Sequence, residues 1–297
     1  MKKNLLILAA LSVVALPFLF SCGKPNDPDK PADVIIMQDP PTKDAAKLVV
    51  FPAENLPKYE DSQAKYEIIQ IEFTEASRYL LKRRVIATKA NVGDIETVIG
   101  SYTESGGNYN CQGFGSVNVS GSGSNANVNV KPDGSENKGN EYSGNANVQV
   151  TTPPSGQGQK NASRNWKIDA MTLNVSGSVT FSHDFTGCNL YDIANYAKGE
   201  NVSINPDDYK GYKVTEFCFT GNETFAINFE NASDIVGTYK INETAKTISF
   251  SLPEGNKFFS GSINGSYEYP ADKKMNLTLN ASIKGYNGSM VFYMSQN

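Results

Sequence analysis

From residue 163 to the carboxy terminus, apolar and polar side chains alternate in short runs broken by turn residues. The runs are 166–175, continued or returned by 177–182, then 212–220, 224–229, 236–241, 247–252, 258–269, 275–283 and 289–294. Their length, their period of two and their content of Phe, Tyr, Val, Ile and Thr predict strands. Gly221-Asn222, Asn242-Glu243, Pro253-Glu254-Gly255 and Pro270-Ala271-Asp272 stand between them with turn chemistry. Counting the first run gives eight strands, and short connections favour antiparallel neighbours. Such a meander closes into an up-and-down barrel. The interruption at 188–198 has a different period: Leu190, Ile193, Ala194 and Ala197 fall on one helical face and Gly199 ends it.

The preceding stretch, 48–152, is less regular and predicts a smaller or irregular β unit. Strands are expected over 66–74, 78–88, 96–104 and 109–120. The chain then turns rich in Gly, Asn and Ser. Asn125-Ala126-Asn127-Val128-Asn129-Val130 recurs as Asn145-Ala146-Asn147-Val148-Gln149-Val150. Small apolar residues alternate with polar ones there, which reads as a thinly held hairpin or as disorder. Pro153-Pro154 and the Gly/Gln residues after them place a linker at 153–162, before the barrel unit at 163–297.

A second pattern spans both units. Ile71-Glu72-Phe73-Thr74, Tyr79-Leu80-Leu81 and Val98-Ile99-Gly100-Ser101-Tyr102 match Phe217-Cys218-Phe219-Thr220, Phe225-Ala226-Ile227 and Ile235-Val236-Gly237-Thr238-Tyr239. Two readings stand: two related ligand-binding units, or a meander that repeats its own pattern.

The amino terminus carries a different message. Met1-Lys2-Lys3-Asn4 is a short positive leader, and the apolar run that follows to Phe20 is short for a spanning helix, which needs about 20 residues. This reads as a secretory signal over 1–21. Leu19-Phe20-Ser21-Cys22-Gly23 resembles the bacterial lipobox. That resemblance implies cleavage before Cys22, lipidation of its thiol and attachment to a membrane through the lipid. Pro25, Pro28, Pro31, Pro40 and Pro41, interspersed with aspartates, make 22–47 an extended tether. The expected location is the cell envelope, as an outer-membrane lipoprotein on either the periplasmic face or the cell surface.

Charge narrows the function. The full chain has a formal net charge of −4, and removal of 1–21 takes away Lys2 and Lys3 but no acid. An acidic balance argues against nucleic-acid binding. No P-loop, dinucleotide fingerprint or nucleophile elbow is present. His183 is the sole histidine, so His-based metal sites are excluded. Asp133, Glu136 and Glu141 lack the spacing of a calcium loop. Lys82-Arg83-Arg84 lies in an expected strand, where alternation divides it between faces, and reads as a solvated edge. The expectation is therefore no catalysis, no cofactor and no metal. Besides Cys22 there are three cysteines, Cys111, Cys188 and Cys218. Export permits a disulfide, and Cys188–Cys218 is the candidate pair, with buried free thiols as the alternative.

A lone Trp166 opening the first strand, one helix and a run of hairpins resemble the lipocalin-like (calycin) domains of bacterial lipoproteins. Gly237-Thr238-Tyr239 is similar to a strand start common in that group. The residue two before the Trp, glycine in that family's strict pattern, is Arg164 here. The resemblance implies that Trp166 is a structural plug at the closed end of the barrel and that the lumen holds a small apolar or amphipathic ligand. Two other readings remain: a surface adhesin or glycan-binding accessory protein using exposed aromatic and Asn residues, and an envelope subunit without a ligand.

Overall fold

The computed structural model describes residues 47–61, 64–74, 76–87, 92–133, 137–150, 156–232, 234–252, 261–283 and 286–296. The leader, Cys22 and the tether lie outside them. The first half forms one antiparallel sheet from β1 (Lys47–Val50), β2 (Lys58–Glu60), β3 (Lys65–Phe73), β4 (Arg78–Ala87), β5 (Ile95–Ser105), β6 (Asn108–Cys111), β7 (Gly115–Ser120), β8 (Gly123–Pro132), β9 (Lys138–Gly139) and β10 (Tyr142–Val150). The second half holds α1 (Gln157–Ala162), β11 (Asn165–Gly177), β12 (Phe181–Thr186), β13 (Cys188–Asn189) and α2 (Leu190–Gly199). Its remaining strands are β14 (Lys213–Phe219), β15 (Thr224–Phe229), β16 (Ile235–Asn242), β17 (Thr247–Leu252), β18 (Gly261–Glu268), β19 (Lys274–Ile283) and β20 (Tyr286–Gln296).

Each sheet closes on itself. β1 pairs with β10 on one side and with β3 on the other, so β1, β3 to β8 and β10 make a ring of eight. β11 pairs with β20 and, through Asn165–Lys167, with β14, which closes β11 and β14 to β20 into a second ring of eight. Both are antiparallel meanders whose first strand sits between the next barrel strand and the last. In both, the first ring member or its neighbour outruns the ring and takes an extra partner. β2 continues along the amino-terminal part of β3, and β12 along the carboxy-terminal part of β11.

The expected eight-stranded carboxy-terminal barrel and its helix are therefore present. The first half departs from expectation: it is a complete barrel, not a smaller or irregular unit. The reason lies in the Asn-rich repeat. Its period of two turns Ala126, Val128, Val130, Ala146 and Val148 inward, where they share one core with Phe51, Phe73, Tyr109 and Tyr142. Thin inward side chains suffice because the opposite wall is aromatic. The expected strand 109–120 is a hairpin instead. Gly115 has φ +139°, and a Cβ there would lie 2.3 Å from the Lys131 carbonyl oxygen, so only glycine fits this turn. The segment read as a linker contains α1. That helix is fixed to the second barrel by Gln159 N–H donating to Glu243 (3.1 Å) and Tyr269 Oη donating to the Gly158 carbonyl (2.8 Å).

The internal repeat is a real structural duplication. Its copies are β3-β4-β5 and β14-β15-β16. In the first, Thr74 N donates to Arg78 O (2.8 Å) and Ser77 has φ +58°; in the second, Thr220 N donates to Thr224 O (3.0 Å) and Glu223 has φ +60°. The Tyr102 hydroxyl donates to Thr74 O at 2.6 Å, and its counterpart Tyr239 donates to Thr220 O at 2.7 Å. The hairpin, the strained turn residue and the tyrosine clasp recur together.

These same strands join the barrels. Leu80, Cys218 and Ala226 form a buried cluster with Ile99 and Val236 packed against it. By the repeat, Leu80 corresponds to Ala226 and Ile99 to Val236, so the contact resembles an isologous interface between two copies. Polar bonds surround it. Arg78 donates through Nε (3.1 Å) and Nη2 (2.7 Å) to Glu216, and the nearly buried Glu72 accepts from Asn222 Nδ2 (3.2 Å) and Thr224 Oγ1 (3.1 Å).

Candidate functional site

An eight-stranded barrel leaves room for its own side chains or for one small ligand. Here the inward faces of both rings carry clusters of aromatic side chains among aliphatic ones. In the first, Phe73 stacks on Tyr109 at 4.0 Å, and Tyr59 meets Phe114 and Tyr66 at 5.2 Å each. In the second, Phe225 contacts Phe219 at 4.8 Å and Phe250 at 4.5 Å, and Phe217 meets Phe292 at 5.1 Å. Met171, Met275, Leu277 and Met294 fill the spaces between them and are fully or almost fully buried. Side chains of the chain itself thus occupy the described lumens.

Trp166 lies within the second core. Its indole Nε1 donates to the carbonyl of Ala162, the last residue of α1, at 2.9 Å. Its register partner on β14 is Phe217. Arg164, which stands where the resembled family has glycine, is also buried and donates through Nη1 to Gln296 at 2.7 Å.

Cys188 and Cys218 are both free and buried, as is Cys111. Cys188 pairs in register with Val214, four residues short of Cys218 on β14, which is about 13 Å along a strand and beyond the ~7 Å reach of a disulfide. Alternation does aim Cys218 away from Phe217 and Phe219. The first barrel covers it, through Leu80 and Ile99. Burial pushes the thiols of Cys111 and Cys188 up to about 12.

Arg83 also departs from expectation. Its guanidinium lies 3.6 Å from the Tyr66 ring centroid, donates to Tyr59 Oη at 2.7 Å, and donates to Glu96 through Nε (3.0 Å) and Nη2 (2.8 Å). It is a buried-side cap on the first core, because the alternation that splits Lys82-Arg83-Arg84 sends the middle residue inward. Burial raises the phenols of Tyr59 and Tyr66 to about 12, with Arg83 opposing the shift in both.

The remaining polar candidates lie apart from one another, with His183 half-buried between β12 and α2. His183 stacks on Tyr196 of α2 at 3.7 Å, flanked by Phe181 and Phe185 of β12. Asp133 and Glu141 do not converge: Asp133 lines a surface cleft, while Glu141 accepts from Asn129 Nδ2 at 2.6 Å. Glu136 lies outside the described residues. Among the described residues, no group of three or more His, Cys, Asp or Glu is placed to hold a metal. The cleft beside Asp133 has a volume of about 320 Å³ and is lined by Ser101, Tyr102, Thr103, Asn110 and Gln112. A second cleft of about 280 Å³ lies on the other barrel beside Lys240, Ser249 and Asn264. None of the residues lining the first cleft belongs to the Asn-rich alternation at 125–130 and 145–150, and no sequence pattern marked the cleft.

No protein-family model and no curated protein matches the chain. Among solved structures it is similar to crystal structures of the vaccine antigen Transferrin Binding Protein B from Haemophilus parasuis Hp5. A double mutant of that antigen matches at 12% identity and TM-score 0.25, covering 77% of this chain and 54% of the other. A single mutant matches at 13% identity and TM-score 0.23, covering 78% and 54%. The chain therefore spans about half the length of these matches. The two-barrel fold rests on its own strand pairings.

Proposed function

We propose that this chain is an envelope lipoprotein, anchored through lipid on Cys22, that binds a partner on its outer surface and catalyses nothing. The observation that carries the surface reading is the filling of both lumens by buried aromatic and aliphatic side chains. An apolar or amphipathic ligand inside either barrel would have to displace buried Phe and Tyr side chains, each worth several kcal/mol of packing. The lipobox-like sequence, the proline-rich tether and the acidic balance support a protein held at a membrane outside the cytoplasm. Its attachment to the outer membrane, on the periplasmic face or the cell surface, belongs to the same proposal. The test has two arms. Radiolabelled fatty acid is expected in the wild type and not in Cys22→Ser. Solvent extraction of the purified chain, followed by mass spectrometry, is expected to release no stoichiometric small molecule beyond the anchor. Equal labelling of both proteins would refute the anchor, and a stoichiometric apolar molecule would restore the container.

A further inference from the structure

The outer face of the first barrel is organised in a way that barrel closure does not require. Strand register aligns Ser105, Asn108, Asn118, Asn129 and Ser143 in one row across five strands. A row beside it reads Thr103, Asn110, Ser116 and Lys131; on the other side lie Ser120, Asn127 and Asn145. Adjacent strands stand about 4.8 Å apart, so the five-residue row is about 19 Å long, and neighbouring rows are about 7 Å apart. The long row and the Ser120 row contain only amides and hydroxyls. Asparagine is poorly suited to strands, and charged residues would keep such a face soluble at least as well.

Two further observations point to a ligand. First, the groups are uncommitted. Among the described residues only Asn129 of these two rows bonds another side chain, to Glu141. On the second barrel part of the outward polar set is consumed internally, as Asn174 donates to Ser289, Ser182 donates to Asn174, and Asn276 donates to Glu268. The exposed Asn264 and Asn280 stand on different strands, outside the β18–β19 pairing of Gly265–Glu268 with Asn276–Leu279. Second, the cleft of about 320 Å³ opens beside the Thr103 row, with Ser101, Thr103, Asn110 and Gln112 on its walls and Tyr102 among its lining residues. Its volume is at the lower bound for small-molecule sites, about 300 Å³.

We propose that this face binds a neutral, hydroxyl-rich polysaccharide, with one sugar in the cleft and the neighbouring sugars across the amide rows. Amides donate and accept at once, as sugar hydroxyls do. A uronate, a phosphate or a nucleic acid would need cations, and the rows offer only Lys131, near Asp133. A protein partner would be expected to meet aromatic, Met or Arg anchors, which the rows lack.

The proposal rests on the surface-binding reading and names its site. The test is affinity electrophoresis of the full chain in gels containing dextran, galactomannan, a mixed-linkage β-glucan or, as an anionic comparison, polygalacturonate. At least one neutral polymer is expected to retard the wild type. The double variant Asn118→Lys, Asn127→Lys is expected to bind about tenfold more weakly, while Asn264→Lys on the second barrel is expected to bind as the wild type does. Both substituted faces are exposed, and an unchanged thermal melt will show that the variants fold. Undiminished retardation of the double variant would overturn the site while leaving surface binding in place. Retardation by polygalacturonate alone, or by no polymer, would overturn the ligand class. Loss of binding in Asn264→Lys alone would move the site to the second barrel.

Discussion

At the scale of single residues, burial decides which side chains carry consequences. Asp234 is the clearest case. Burial raises its carboxyl from the ordinary 3.8 to about 6, aided by Glu216 and opposed by the Phe229 amide, which donates at 3.0 Å, and by Arg78. A carboxyl whose folded pKa lies above its unfolded value favours the folded state only when protonated. The contribution is complete below about pH 4 and lost as pH rises toward 6. Asp234→Asn removes this slope and keeps an acceptor for Phe229. The variant should gain on the wild type as pH rises from 4 to 6, by about 1–2 kcal/mol after allowance for partial exposure, and hold that gain at pH 7. Chemical denaturation at pH 4, 6 and 7 measures it, and a constant difference across the three would refute the shift. Nothing in the sequence marked Asp234, since its environment is assembled by chain segments far apart. Cys218 shows the opposite balance. Alternation with Phe217 and Phe219 fixes its outward direction, but the failed disulfide with Cys188 depended on register along β14, which periodicity does not contain.

At the scale of elements, the second barrel was legible nearly strand by strand. Period-two runs bounded by turn residues predicted each of β14 to β20, and the 3.6-residue spacing of Leu190, Ile193, Ala194 and Ala197 predicted α2. The element that escaped was α1. Its six residues, Gln157–Ala162, are too short for a helical period and too polar to look like core. Tertiary bonds to Glu243, Tyr269 and Trp166 hold it. This gives Trp166 two tasks: it fills the core beside Phe217 and it accommodates the last carbonyl of α1. Trp166→Ala should therefore cost about 3–5 kcal/mol, while Trp166→Phe should recover much of the packing and none of the bond to Ala162. A structural plug predicts that ordering. Polysaccharide retardation should be unchanged in Trp166→Phe wherever the variant is folded. Urea titrations followed by circular dichroism check the stabilities, and a loss below about 1 kcal/mol for Trp166→Ala would show that the ring is dispensable.

At the scale of the whole molecule, the duplicated strand triplet explains why there are two barrels in contact. In the sequence the repeat could be two related units or a coincidence of meanders. The shared turn strain at Ser77 and Glu223 and the shared tyrosine clasps establish two copies of one unit. Several outward residues of this triplet are apolar or small, Leu80 and Ile99 in one copy and Cys218, Ala226 and Val236 in the other, beside the charged Glu72, Arg78 and Glu216. A barrel's outer face ordinarily alternates to polar residues, so these departures are the trace of the interface. The small Cys218 and Ala226 let β14 and β15 approach closely enough for Leu80 to insert, and Leu80 is only 3% exposed. Leu80→Asp places a carboxylate in that contact, beside Glu72 and Glu216 rather than beside a free cation, because Arg78 already pairs with Glu216 at 2.7 Å. Each barrel keeps its own closed ring and core, so the variant should unfold neither ring but separate the two. Small-angle scattering should then give a larger radius of gyration than the wild type, with unchanged β-type circular dichroism. Leu80→Ala, which removes the knob without adding charge, should leave the barrels together at a cost of about 2–4 kcal/mol or less to their association. An unchanged radius in Leu80→Asp would mean that the polar bonds around the contact, from Arg78 to Glu216, from Asn222 and Thr224 to Glu72 and from Asn165 to Ala76, suffice to hold the pair. Loss of β structure would mean that the barrels fold only as one body.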